Sequence, residues 1–274
     1  MAQPEGPQGR VLIIAGSDSG GGAGIQADIK AITMLGGYAM TAITAITAQD
    51  THGVQGVWPV PLDGVVKQID MTLKDIGADA IKTGMLGSAE LVEAIAERLS
   101  DLAILVPRVI DPVMISTSGH RLVDEKAVGA IRSDLVPGAR LVTPNAPEAE
   151  VLSGKAVETV DGQRRAAEAL LELGANGVLV KGGHIGGSII HDVLQTTTGE
   201  WIFESPRIET TSTHGTGCTL ASGIAALLGQ GLSVPDSVER ARDYLLEAIR
   251  TAKGFGHGHG PVNHGWVLDE NRNS

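Results

Sequence analysis

Thr213-His214-Gly215-Thr216-Gly217-Cys218 runs directly into an apolar stretch with the character of a helix. Glycines leave the amides of such a turn unobstructed, and a helix N-terminus adds a positive partial charge. Gly215, Thr216 and Gly217 therefore predict an anion hole suited to a phosphoryl group in transfer. Cys218 is the one cysteine in the chain. At a helix start a thiol is expected to ionise below its free pKa of about 8.5, which would make Cys218 a proton acceptor. The competing reading is a buried cysteine serving as a small hydrophobe.

Other loops offer complementary chemistry. Ala15-Gly16-Ser17-Asp18-Ser19-Gly20-Gly21-Gly22-Ala23-Gly24 follows an apolar run, and that many glycines suit a backbone that a ligand approaches closely. Its Gly22-Ala23-Gly24-Ile25-Gln26-Ala27 fits the GxGxxG/A pattern of dinucleotide sites, but a polar loop separates it from the strand end where that fingerprint belongs. Asp28 follows in the first turns of the helix, either as a dipole-complementing charge or as an acceptor for a substrate amine or hydroxyl. Asn145-Ala146-Pro147-Glu148 puts an amide and a carboxylate on one side of a helical turn. They suit either a hydrated Mg²⁺ or a capping box. Lys181, in Lys181-Gly182-Gly183-His184, and Asp111, in Asp111-Pro112-Val113, end two further strands with a point positive charge and a carboxylate. The one Gly-Lys pair, Gly154-Lys155, is followed by Ala156, so there is no Walker A loop. The tract Gly256-His257-Gly258-His259-Gly260 has no accompanying carboxylate or thiol and reads as a loop.

These loops need a scaffold that presents strand ends together. Apolar runs at Val11–Ala15, Tyr38–Thr47, Ala80–Thr83, Ile104–Ile110, Arg140–Thr143 and Val178–Lys181 predict strands. Between them, periodic stretches predict helices running to Leu35, from Pro61, over Ser88–Leu99 and Asp124–Val136, and through Leu152 and Leu173. Ile189–Leu194 and Trp201–Glu204 flank Thr-Thr-Thr-Gly as an antiparallel hairpin, and helices from Cys218 and Val234 close the chain. Repeated strand–helix units imply an α/β fold, a mostly parallel sheet with helices on both faces. In such sheets ligands bind beyond the carboxyl ends of the strands, which is where every loop above falls. No linker or repeat divides the chain, so a single domain over 11–274 is expected behind a flexible tail at 1–10.

The composition bounds the partners. Of 274 residues 42 % are hydrophobic, enough for a large core, and the seven aromatics leave that core to Ala, Ile, Leu and Val. A net charge of −11 with no basic run excludes a general affinity for nucleic acid or anionic lipid. With a single cysteine there is no disulfide framework or Cys-rich zinc site, and the polar N-terminus lacks a signal-like apolar region. The uncharged stretch Thr210–Pro235 is too broken by glycines and hydroxyls to span a bilayer. A cytoplasmic protein acting on a small molecule is expected.

Eight segments together resemble the hydroxymethylpyrimidine/phosphomethylpyrimidine kinases of the ribokinase-like superfamily. They are AGSDSGGGAGIQAD (Ala15–Asp28), TAQDTHGV (Thr47–Val54), KTGML (Lys82–Leu86), DPVM (Asp111–Met114), TPNAPEAE (Thr143–Glu150), KGGH (Lys181–His184), HGTGC (His214–Cys218) and GPVNH (Gly260–His264). The resemblance runs from Ile13 to about Trp266. It implies a ribokinase-like three-layer sandwich and ATP-dependent phosphorylation of 4-amino-5-hydroxymethyl-2-methylpyrimidine (HMP), then of HMP phosphate. It further implies a pyrimidine pocket of Gly16, Asp28, Gln49, Met85 and Val113, with Cys218 at the reacting end. Asp111, Asn145, Glu148, Lys181 and the Gly215–Gly217 backbone would serve phosphate and Mg²⁺, the ion being held through water. A homodimer is expected, as in many superfamily members. Pyridoxine or pyridoxal kinase activity is the alternative, since those vitamers also carry a hydroxymethyl group on a flat heterocycle; a non-catalytic binding module is another. Asp50 stands where relatives usually have Asn, and His120 where Asp is frequent, within a loop Met114–Leu122 expected to flap over the site.

Overall fold

The structure is a computed structural model that describes residues 8–114 and 123–270. Among the described residues nine strands form one sheet, in the order β3-β2-β1-β4-β5-β6-β7-β8-β9. Its centre is parallel: β2 (Tyr38–Gln49), β1 (Arg10–Asp18), β4 (Ala80–Thr83), β5 (Arg108–Ile110), β6 (Leu141–Val142) and β7 (Gly177–Val180). Both margins are antiparallel, with β3 (Val54–Pro59) on β2, and the hairpin β8 (Ile189–Thr196) and β9 (Gly199–Pro206) on β7. From β1 the chain winds outward to β2 and then returns to β4 on the other side. That reversal opens a crevice at the carboxyl end of β1.

Strand β1 shows why the sheet lies in the middle. Val11, Ile13 and Ala15 point to one face and Leu12 and Ile14 to the other, and none is more than 1 % exposed. A parallel strand buried on both faces reads as an unbroken apolar run because neither face meets water. Helices α1 (Gly24–Met34), α7 (Thr216–Gly229) and α8 (Val234–Arg250) cover the first face. The other is covered by α2 (Leu62–Asp75), α3 (Ala89–Leu102), α4 (Glu125–Ala130), α5 (Ala146–Ser153) and α6 (Val160–Glu172). Ser88, Asp124, Asn145, Thr159 and Ser233 start their helices with side-chain caps, which is why the helices begin where they do. A short α9 (Trp266–Glu270) ends the described chain.

Several expected boundaries move. The helix expected over Asp124–Val136 is α-helical only as far as Ala130 and continues as a π-helical segment over Ile131–Leu135. The strand expected from Ile104 starts at Arg108, because α3 runs on to Leu102 and leaves Ile104 and Leu105 on an exposed turn. The expected flexible tail also shortens. Arg10 starts β1 and forms a two-pronged ion pair with Asp79, whose carboxylate also accepts the Gln8 amide, so residues 8–10 are fastened to the loop before β4. Residues 1–7 of that tail lie outside the described residues, as do His120 and all of the expected flap except Met114. No described helix is long and apolar enough to cross a membrane.

Candidate active site

The loops after β1, β4, β5, β6 and β7 and the turn before α7 surround one cavity of about 880 Å³. Gly16, Gln49, Met85 and Val113 line it, as do Asp111, Asn145, Glu148, Lys181, Gly215, Thr216, Gly217 and Cys218. Asp28 does not. Its side chain is 0 % exposed, and its oxygens take Lys82 Nζ at 3.0 and 3.1 Å and the Ser222 hydroxyl at 2.7 Å. The structure therefore places Asp28, expected in the pyrimidine pocket, outside the cavity lining: one helical turn into α1, it is paired within the protein, as buried charge must be. Burial raises its carboxyl above the usual range, against the pull of Lys82 and Ser222.

Lys82 is the residue that sequence reasoning passed over. A lysine inside Ala80-Ile81-Lys82-Thr83, a strand otherwise made for burial, signals a partner elsewhere in the chain. Its ammonium is fully buried, meets Asp28, and lies 3.7 Å from Asp111 Oδ2. On the other side of that carboxylate Lys181 Nζ is 3.3 Å from Oδ1. Lys82, Asp111 and Lys181 line the cavity and Asp28 lies behind Lys82, so that positive and negative groups alternate along one row: Asp28, Lys82, Asp111, Lys181. Burial opposes the charge on both lysines, but the carboxylates outweigh it and hold both ammonium groups above their ordinary pKa.

Asn145 and Glu148 do form the capping box: Asn145 Oδ1 accepts the Glu148 amide and Glu148 Oε2 accepts the Asn145 amide, each at 2.9 Å. Burial, with Asp111 nearby and Lys181 opposing, pushes Glu148 up to about 7. Asp111 Oδ2 is buried and has no hydrogen-bond partner among the described residues. These hard oxygen donors beside the anion-binding loop fit a Mg²⁺ ion that keeps most of its water. Among the described residues no three His, Cys, Asp or Glu side chains cluster closely enough to chelate a metal directly.

The turn before α7 is built by close backbone packing. Gly215 has φ +78°, a left-handed conformation, and a Cβ there would collide with the Gly22 carbonyl. Gly217 faces Lys181: a Cβ on it would stand 3.2 Å from Nζ. Behind the turn, Asp18 accepts the amides of Gly20, Gly22 and Ala23 at 2.8–3.0 Å and His214 Nε2 at 2.8 Å. Burial works against the Asp18 carboxylate, but His214 and these amides keep it below the usual range. Asp18 and His214 thereby staple the first glycine loop to the anion loop, a link between residues 196 apart that no local motif announces.

The thiol departs from expectation. Cys218 borders the cavity, yet burial pushes it up to about 12; Lys82 pulls it down and Asp28 and Asp111 push it back. The helix terminus is too weak an influence to overcome desolvation and two carboxylates. Raised this far, the resting group is a neutral thiol near pH 7.

A doubly covered, mostly parallel sheet, a crevice at its switch point and a glycine turn at a helix start beside two lysines define a ribokinase-like small-molecule kinase. The family model for phosphomethylpyrimidine kinase matches residues 18–263, and the chain belongs to that family. It is 46 % identical over 260 residues to a hydroxymethylpyrimidine/phosphomethylpyrimidine kinase of Streptomyces coelicolor, covering 95 % of this chain and 96 % of the relative. It is 48 % identical over 258 residues to a bifunctional thiamine biosynthesis protein of Geobacter sulfurreducens, covering 94 % of this chain but only 52 % of that longer protein. Among solved structures, an ADP complex of Bacillus subtilis pyridoxal kinase superposes with a TM-score of 0.87 at 36 % identity, covering 96 % of this chain and 99 % of that one.

Proposed function

We propose that this chain moves the γ-phosphoryl group of ATP to the hydroxymethyl oxygen of HMP, and then a second one to the phosphate of HMP phosphate, in thiamine biosynthesis in the cytoplasm. The observation that carries the reading is the shared cavity. Cys218 lines the same cavity as Gly16, Gln49, Met85 and Val113, which would receive the flat ligand, and as Lys181 and Gly215–Gly217, which would receive the phosphate. At Gly16 a Cβ would run into the Met85 terminal methyl, so only glycine leaves the Met85 side chain in its place on the cavity wall.

In the first transfer the hydroxymethyl oxygen forms a bond to γ-phosphorus as the bond to the bridging oxygen breaks and ADP leaves. Such a transition state is loose, with charge spread over the three equatorial oxygens. Lys181 and the amides of Gly215, Thr216 and Gly217 meet that charge. A loose transition state develops little charge on the attacking oxygen, so the neutral Cys218 thiol accepts a hydrogen bond from the hydroxyl and aims it. The hydroxyl proton departs late, passing to a non-bridging oxygen of the phosphoryl group as the phosphate monoester forms. In the second transfer the nucleophile is a phosphate oxygen, largely ionised already at neutral pH. Asp111, Asn145 and Glu148 would hold Mg²⁺ through water, and the ion would neutralise charge on the nucleotide phosphates.

Pyridoxal kinase activity is a second reading, favoured by the Bacillus subtilis structure. ADP release measured with HMP, HMP phosphate, pyridoxal and pyridoxine as acceptors decides. Turnover with both pyrimidines supports the proposal. Turnover with the vitamers alone replaces it, and none with any acceptor leaves a binding module. A homodimer belongs to the same proposal, supported by the outward face of β2 and β3, where Ile46 pairs with Trp58 and both are more than half exposed.

A further inference from the structure

The loop after β7 carries four glycines in the six residues 182–187, yet it forms a wall of the cavity. A chain so rich in glycine loses more entropy than any other when it is held in one shape. Two separate devices hold it. On the inner side Asp192 Oδ1 accepts the Gly182 amide at 2.8 Å, and Arg242 Nε fixes Asp192 Oδ2 at 2.8 Å. The Lys181 amide, just before, donates to the Pro144 carbonyl at 2.9 Å. The second device is Arg207, which itself lines the cavity. Arg207 donates to three carbonyls of the loop: Nε to Gly187 at 2.8 Å, Nη1 to Gly183 at 2.9 Å and Nη2 to Ile185 at 2.5 Å.

We propose that Arg207 is a positioning residue for the nucleotide, a strap whose planar fork shapes the 183–187 wall without touching the reacting atoms. The proposal rests on the kinase reading above. Its reach is set by the inner anchors: Lys181 and Gly182 stay in place through Pro144 and Asp192 whether or not Arg207 is present. Losing the strap therefore loosens the part of the cavity beyond Lys181 and spares the grip on the group in transfer. A lysine cannot replace it, because a single ammonium cannot span three carbonyls that a guanidinium reaches through separate nitrogens.

The test compares Arg207→Ala and Arg207→Lys with the unaltered enzyme in two measurements. One is steady-state ADP release with HMP; the other is calorimetric binding of the non-hydrolysable ATP analogue AMP-PCP. Both variants are expected to raise the nucleotide KM and the AMP-PCP Kd about tenfold. The HMP KM and kcat are expected to move less than twofold, and millimolar guanidinium to restore affinity in Arg207→Ala only. Unchanged AMP-PCP affinity in Arg207→Ala overturns the strap. So does wild-type affinity in Arg207→Lys, which would assign the effect to charge alone, or a parallel fall in kcat with a lowered melting temperature, which would mark general damage. If the unaltered enzyme releases no ADP with HMP, the substrate reading fails, while the AMP-PCP measurement still decides the role of Arg207.

Discussion

A thiol at a helix mouth and a thiol inside a row of buried charges obey different rules, and Cys218 is both. The local motif predicts ionisation; what prevents it is burial first, then Asp28 and Asp111 from α1 and the end of β5, all of which enter only once the sheet is formed. If the neutral thiol only orients the hydroxyl, the first transfer changes less than threefold between pH 8 and 9.5, above the titration of Glu148 near 7. A thiolate base with a pKa near 12 would instead give a tenfold rise per pH unit. Cys218→Ser, which keeps a hydrogen-bond acceptor, is expected within about tenfold of the parent in rapid-quench assays. Cys218→Ala, which loses the aiming hydrogen bond, should slow the first transfer by about tenfold, and the second much less. Lys82 and Asp28 make a prediction of another kind. Lys82→Met strands a carboxylate that is 0 % exposed and should cost about 3–5 kcal/mol in urea unfolding, most of it recovered when Asp28→Asn is added. An undiminished single variant would mean that the pair is not what holds these groups. Most of the cavity lining was legible from loops at strand ends. The Asp28–Lys82 and Asp18–His214 pairs were not, because each joins segments far apart in sequence.

Among elements, the junction of α7 and α8 carries its own titration. His264 Nε2 lies 2.9 Å from the Thr219 hydroxyl of α7, and its carbonyl accepts the Tyr244 hydroxyl of α8 at 2.7 Å. Burial, helped by Lys30, holds the imidazole down to about 4. Between the unfolded value near 6.5 and that folded value the unfolded chain binds the extra proton, so this contribution is intact above pH 6.5 and drains away as pH falls to 4. Glu148, raised when folded, has the opposite slope from about 4.5 to 7. A wild-type curve alone mixes the two, and the informative quantity is the difference from His264→Gln. That difference should shift by up to about 3 kcal/mol in favour of the variant between pH 7 and 4.5 in denaturant titrations; a constant difference would remove His264 from the acid response. Strand and helix order was readable from periodicity, since parallel strands buried on both faces are unbroken apolar runs. Strand β3 was not foreseen, because Val54-Gln55-Gly56-Val57-Trp58-Pro59 mixes glycine and proline into an edge strand with little burial. The π-helical segment after Ala130 also escaped, as a helix with one extra residue per turn keeps nearly the same apolar spacing.

At the level of the molecule, the sheet ends on β3 with Trp58 59 % exposed and Ile46 55 % exposed across from it. Large apolar side chains grouped in this way suit contact with a second copy. Sedimentation should give twice the chain mass of 28.3 kDa, and Trp58→Arg should return the mass of one chain with the fold retained. A single-chain mass for the unaltered protein would leave that face without a self-partner. Cys218 also has a meaning beyond its cavity, because it is the chain's entire stock of sulfhydryl. Alkylating reagents and peroxides attack the anionic form of sulfur. With burial and the neighbouring acids keeping the proton on that one atom, slow labelling by iodoacetamide near neutral pH is the expected outcome, and rapid labelling would show an ionised sulfur.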